Sequence, residues 1–323
     1  MKFRNKAATV AVAALAVGGS TLMASPAQAD LITLCSGHGG AVTLPTDLAV
    51  PAGESCFLDG TVVQGDVIVR QGANLHIVGG EIEGEVIVRK NGYFDASESS
   101  VGDRVVNRGS YGTYLEDSSA GAAVRAVAVD GADNDGFTYV VDSTVRNINA
   151  STGTVYVTGS RVGGAVKAEG VEFADLYDSV VRGDLTVTGA TSGGILCDSE
   201  VIGDASFTGA SGPIAVGAGE QEDFCSSVNY VDGDLTVSDV TGGAYVDNNI
   251  VGGDLVTSGN QPTAQVGDAN RVRGEILTEE VALRALAAAV TEEFAEHEDG
   301  LQGEVEEARA ETIDEAMEAG PAF

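Results

Sequence analysis

The chain has 323 residues, and 49 Asp and Glu against 17 Lys and Arg give it a formal net charge of −32. That excess of acid leaves no basic surface broad enough to grip nucleic-acid phosphates or to dock on anionic lipid. Hydrophobic residues make up 43% and charged residues 20%, so the chain can pack a core and is not a disordered polyelectrolyte.

Lys2, Arg4 and Lys6 precede an apolar run from Ala7 to Val17, and Ala27 and Ala29 form an A-x-A site. This is the pattern of a secretory signal peptide over residues 1–29, cleaved after Ala29. The apolar run is short for a membrane span, and no later stretch suggests one. An exported chain meets an oxidising compartment, so Cys35, Cys56, Cys197 and Cys225 read as disulfide partners. No C-x-x-C spacing favours a metal instead. Four cysteines allow three pairings, and proximity in sequence favours Cys35–Cys56 and Cys197–Cys225. Residues 30–58 then read as an N-terminal cap closed by the first bridge.

From residue 59 to 277 the sequence repeats. Thr61-Val-Val-Gln-Gly-Asp-Val-Ile-Val69, Asp178-Ser-Val-Val-Arg-Gly-Asp-Leu-Thr-Val187 and Val231-Asp-Gly-Asp-Leu-Thr-Val237 share the phrase D-S-x-V-x-G-D-L-x-V. The first apolar residue of each copy falls at Val63, Ile82, Val101, Ala120, Val145, Val162, Val181, Val201, Val231, Val251 and Val272. The spacing is about twenty residues, with longer gaps at 120–145 and 201–231. Within each copy apolar residues alternate, as in Val67/Val69 and Leu235/Val237, which is strand periodicity. One short strand cannot bury its face alone, whereas stacked copies can. The expected fold is all-β: a parallel β-helix, or β-solenoid, of about eleven coils. The Gly before each repeated acid is expected to turn a corner with positive φ. The acid itself is expected to stabilise the turn, and Ser, Asn and Asp to stack at another corner.

The architecture resembles the right-handed parallel β-helix of the pectate lyases. The G-D-V-x-V phrase and the coil length resemble the bactofilins, polymer-forming bacterial β-helix proteins. The stretch from Cys35 through Leu44-Pro-Thr-Asp-Leu48 to Cys56-Phe-Leu-Asp59 is similar to secreted β-helix proteins of Gram-positive bacteria. The resemblance covers about 31–277 and implies a fold rather than an activity. Bactofilins are mostly cytosolic, so the export signal argues against a cytoskeletal role.

After Ile276 the composition turns acidic and Ala-rich. Thr278 is a candidate helix N-cap, with Leu283, Leu286, Val290 and Phe294 as an apolar stripe and a second, weaker helix over Leu301–Met317. Residues 278–323 read as a short acidic α-helical segment, expected as a cap over the last coil.

Chemistry is sparse. His38, His76 and His297 are scattered, and His76, between Leu75 and Ile77, is expected to face outward from its strand. Asp66, Glu85, Asp184, Asp204, Asp234, Asp254 and Glu275 share one repeat position, where turn stabilisation competes with a weak calcium ladder. Asp130, Asp133 and Asp135, followed by Gly136, form a second calcium candidate, lacking the closing Glu of a calcium loop. Arg70 and Arg89 occupy equivalent positions, where they either offset nearby acids or face an acidic polysaccharide; offset is the ordinary case. No catalytic residue or bound cofactor is expected. The expected function is that of an exported, secreted or cell-wall-associated structural protein, with cell-wall polysaccharide or a second copy as partner. The alternatives are a lyase-like carbohydrate-active β-helix enzyme, marked by a repeat-breaking acid–base cluster in a groove, and a calcium-binding extracellular module.

Overall fold

A computed structural model describes residues 31–132, 136–217, 225–279 and 287–323, with side chains of the last segment from Gly300 onward. Residues 1–29, which carry the expected signal peptide, lie outside it. The described residues form an all-β parallel solenoid with one helix, Ala287–Ala319. Among the described residues no helix is long and apolar enough to cross a membrane.

Each turn lays one short strand on each of three faces. The first face stacks Ile32–Leu34, Asp47–Val50, Val67–Val69, Val86–Val88 and so on to Ile276–Leu277. The second stacks Thr43–Leu44, Val62–Val63, Glu81–Ile82 and so on to Arg271–Val272. The third is a 12-stranded parallel sheet from Gly37–Gly39 to Gln265–Val266. The solenoid therefore has about twelve turns, one more than the repeat phrase reveals. The additional turn is the disulfide-closed N-terminal segment, which lacks the G-D phrase yet pairs in register with the next coil at Leu48↔Val67 and Cys56↔Leu75.

The core is thin because each coil sends few side chains inward. In one coil these are Val63 from the second face, Val67 and Val69 from the first, and Leu75 and Ile77 from the third, all fully buried. The column that begins at Val63 and continues through Ile82, Val101, Ala120 and Val145 to Val251 stays buried throughout. The two long gaps are insertions: the register shifts between Ala120 and Ala123 ahead of one, and Cys225 anchors the other.

The corners explain the polar part of the repeat. Asp117, Asp142, Asp178 and Asp198 take positive φ (48°, 47°, 42° and 54°), as does Gly159 in the same slot. Asp tolerates this left-handed conformation better than most residues. The Ser that follows accepts a hydrogen bond from the coil before it: Ser99 N–H to Ser118 Oγ at 3.0 Å, Ser118 N–H to Ser143 Oγ at 2.9 Å, Ser160 N–H to Ser179 Oγ at 3.1 Å. Asn229 and Asn249 continue the ladder, with Asn229 Nδ2 donating to Asn249 Oδ1 at 3.0 Å.

The Gly before the repeated acid does something other than expected. Gly84, Gly203, Gly233 and Gly253 do not take positive φ. A Cβ on any of them would collide with the backbone of the preceding coil and with the Oδ1 of its Asp. Close approach between coils, rather than backbone handedness, fixes these glycines.

Candidate functional site

The same glycines make room for a carboxylate ladder. Asp66 N–H donates to Asp47 Oδ1 at 2.9 Å, and Glu85 N–H to Asp66 Oδ1 at 2.9 Å. Further along, the N–H groups of Asp234, Asp254 and Glu275 donate to Asp204, Asp234 and Asp254 Oδ1 at 2.9, 2.8 and 2.8 Å. Each side chain bonds the next coil's backbone, which is the turn-stabilising role. No group of three or more metal-ligating side chains comes together among the described residues. Of the second calcium candidate, Asp130 is exposed in the first insertion, while Asp133 and Asp135 lie outside the described residues.

Both cysteine pairs favoured by proximity are formed. Cys35 is bonded to Cys56, with Cα atoms 5.7 Å apart, and Cys197 to Cys225, with Cα atoms 5.2 Å apart. Cys56 points inward, so the first bridge closes the N-terminal coil. Cys197 lies against Ile195 and Ala215, so the second pins its insertion to the outer side of the third face.

That outer side is where the repeat symmetry breaks. One register column there reads His38, Phe57, His76, Asp95, Tyr114, Tyr139, Tyr156. Strand alternation correctly turns His76 away from the core, yet it is only 2% exposed. The cover is the C-terminal helix. Its described side chains, from Gly300 onward, lie on the earlier coils and not, as expected, over the last one, and the helix runs unbroken through the stretch read as a second helix. Leu301, Val305 and Ala308 pack on Tyr93, Phe137, Tyr139 and Tyr156. Further on, Glu315 Oε2 accepts a 2.6 Å hydrogen bond from Ser55 Oγ of the second coil. Past Gly320 the chain joins the free edge of the first strand of this sheet. His38 N–H donates to Gly320 O and Ala322 N–H to His38 O, both at 2.9 Å. The chain's last residues thus cover the first coil, blunting an edge that would otherwise invite another strand.

An acid–base cluster holds the helix down. Arg309 donates from Nε to Asp95 Oδ2 at 2.8 Å and from Nη2 to Asp95 Oδ1 at 3.1 Å, with Glu116 Oε2 at 2.8 Å and Ser97 Oγ at 3.0 Å also accepting from Nη2. Tyr93 Oη donates to Asp95 Oδ2 at 2.9 Å. His76 Nδ1 lies 3.1 Å from the same oxygen, off the line of a straight hydrogen bond, and its ring stacks on Phe57. The Asp95 side chain has no exposed surface. Burial pushes its pKa up, but His76 and Arg309 outweigh burial and hold the carboxyl below its ordinary value. Burial, reinforced by the Asp95 charge, pushes the Tyr93 hydroxyl far up, so it stays a donor.

Beside this clasp a cleft of about 280 Å³ opens between helix and sheet, lined by Tyr114, Tyr139, Tyr156, Glu116 and Arg309 among others. His297 lies on the helix, with its side chain outside the described ones. Acids offset Lys167, whose Nζ lies 2.7 Å from Glu169 Oε1, and Arg104, which pairs with Glu85. The offset expected at Arg70 and Arg89 is not found: neither has an ion-pair partner among the described residues. The chain matches no family model, and no curated protein or solved structure matches it either. Fold and site define a disulfide-closed parallel β-solenoid strapped by its own C-terminal helix.

Proposed function

We propose that this is an exported, non-catalytic structural protein that serves at the cell surface or in the cell wall. The observation that carries the reading is the Asp95 and Arg309 clasp. An enzyme on this fold needs a repeat-breaking acid and base at a groove that substrate can reach. Here the cluster that breaks the repeat holds the chain's own helix, and its central carboxylate has no exposed surface. The two disulfides support an oxidising, extracellular setting. The corner ladders give neighbouring coils a continuous set of hydrogen bonds, which suits a rigid scaffold.

The test assays the purified, oxidised protein for lyase and hydrolase products on acidic and neutral polysaccharides, beside Asp95→Asn and Arg309→Gln. The reading expects no turnover in any form and a lowered Tm in both variants. Turnover by the native protein that Asp95→Asn abolishes would overturn it in favour of the enzyme. Fractionation of the producing cells tests the location: the protein is expected with the wall or in the medium, and retention in the cytosol would contradict export.

A further inference from the structure

Arg70, Arg89 and Arg108 directly follow Val69, Val88 and Asn107, which pair in register on the first face. The three guanidinium groups therefore leave the solenoid in one row, at the strand spacing of about 4.8 Å. All three are exposed. Lys90 adjoins the row, and Arg125, paired with Val106, carries the basic strip into the next coil. Of the neighbouring cations, Arg104, just before the strand Val105–Arg108, has Glu85, and Lys167, further along the face, has Glu169. Arg70, Arg89 and Arg108 have no ion-pair partner among the described residues. This happens in a chain of net charge −32, where acids to answer them are plentiful. Like charges one strand apart repel by about 1 kcal/mol or less in water, so the row is tolerable empty. A repeated anion would relieve it.

Parallel to the arginines runs an apolar row on the same outward side. Ile68 and Ile87 are half-buried and Val106 is buried, and all three pair in register. Beyond it, Asp66 and Glu85 belong to the corner ladder, where Asp66 is engaged by the Glu85 N–H.

We propose that this strip binds a linear anionic glycan, a carboxylate-bearing polysaccharide lying along the solenoid axis. A guanidinium fork matches a carboxylate in shape and charge. The apolar row accepts the C–H face of a sugar ring, which a polyphosphate lacks. Charge repeated along the polymer meets charge repeated along the coils. Overall repulsion from the acidic protein is screened beyond about 10 Å at 0.1 M salt, leaving the contact itself to decide. The proposal names the partner of the surface role above and rests on that reading only for where the polymer is met.

The test uses the full-length oxidised protein at 0.1 M salt with polygalacturonate as probe, and amylose and polyphosphate as comparisons. Binding to polygalacturonate is expected, with log affinity falling against log salt at a slope near −2, taking about 0.7 per displaced counterion for three arginines. The triple variant Arg70→Gln/Arg89→Gln/Arg108→Gln should bind at least tenfold more weakly with an unchanged Tm, since these side chains are exposed and support nothing. No binding, or equal binding by the triple variant, would overturn the site. Equal affinity for polyphosphate would overturn the glycan assignment, because bare charge would then suffice. Cell fractionation separates the two readings: a cytosolic protein that still binds through the arginines keeps this site and loses the surface role.

Discussion

Replacing Arg309 with Gln removes the one helix cation that donates to Asp95 among the described residues. Asp95 keeps Tyr93 and the His76 contact, but its side chain is fully buried and its charge loses a bidentate partner. Arg309 itself is 26% exposed, so the pair is largely shielded from solvent. Breaking such a pair from one side costs about 3 kcal/mol. The cost falls on helix docking rather than on the coils, because the ladders of the solenoid do not pass through Arg309. Leu301 and Val305 remain buried at 6% and 5% exposure, and each contributes roughly 1.5–3 kcal/mol. The helix should therefore stay docked but open far more often, by roughly a hundredfold at 1.4 kcal/mol per decade. Hydrogen exchange read by mass spectrometry resolves this. Amides of residues 300–319 should exchange about a hundred times faster in Arg309→Gln, while those of Leu185–Thr188 should not change. Arg309→Lys, which keeps charge but not the fork, should fall between. Unchanged exchange over 300–319, or equal acceleration in the solenoid strands, would show that the clasp does not hold the helix.

Gly253→Ala should cost about 1–3 kcal/mol by overpacking against Asp234 and the preceding backbone, read as a lower urea midpoint; Gly300→Ala, where a Cβ meets nothing within 4 Å, should cost nothing. Reducing both disulfides should lower Tm, with about 3 kcal/mol expected for each, and Cys197→Ser/Cys225→Ser should reproduce only part of the loss. Asp95 binds its proton less readily folded than unfolded, so its contribution is present above its unfolded pKa of about 3.9 and is lost as pH falls further. Acid titration of Asp95→Asn should accordingly show a shallower loss of stability below about pH 4 than the native chain. Deleting residues 320–323 frees the His38 backbone and should produce association detectable by sedimentation.

Much of the fold was legible because solenoid physics writes itself at short range. Val67, Val69, Leu75 and Ile77 alternate since every inward position must be apolar, and the repeat returns each to the same column. The Ser and Asp ladders were readable for the same reason. The role of Gly84 and its equivalents was not: a glycine required by a neighbouring coil looks the same in sequence as one required by φ. The clasp was harder still. Asp95 and Arg309 lie 214 residues apart, and no periodicity links them. The available sign was broken symmetry, with His76, Asp95 and the three tyrosines standing in one column of an otherwise repetitive face. Alternation placed His76 outward correctly, but nothing local announces that a distant helix covers it.

The position of the C-terminus is measurable directly. Spin labels at Glu318 and Ala41, both exposed, report the distance from the end of the helix to the first coil. A second pair at Glu318 and Ser258 reports the distance to the far coils. The strapped helix predicts a short first distance and a second of about 50 Å, eleven strand spacings of about 4.8 Å. The reverse order would place the helix over the last coil and contradict the clasp.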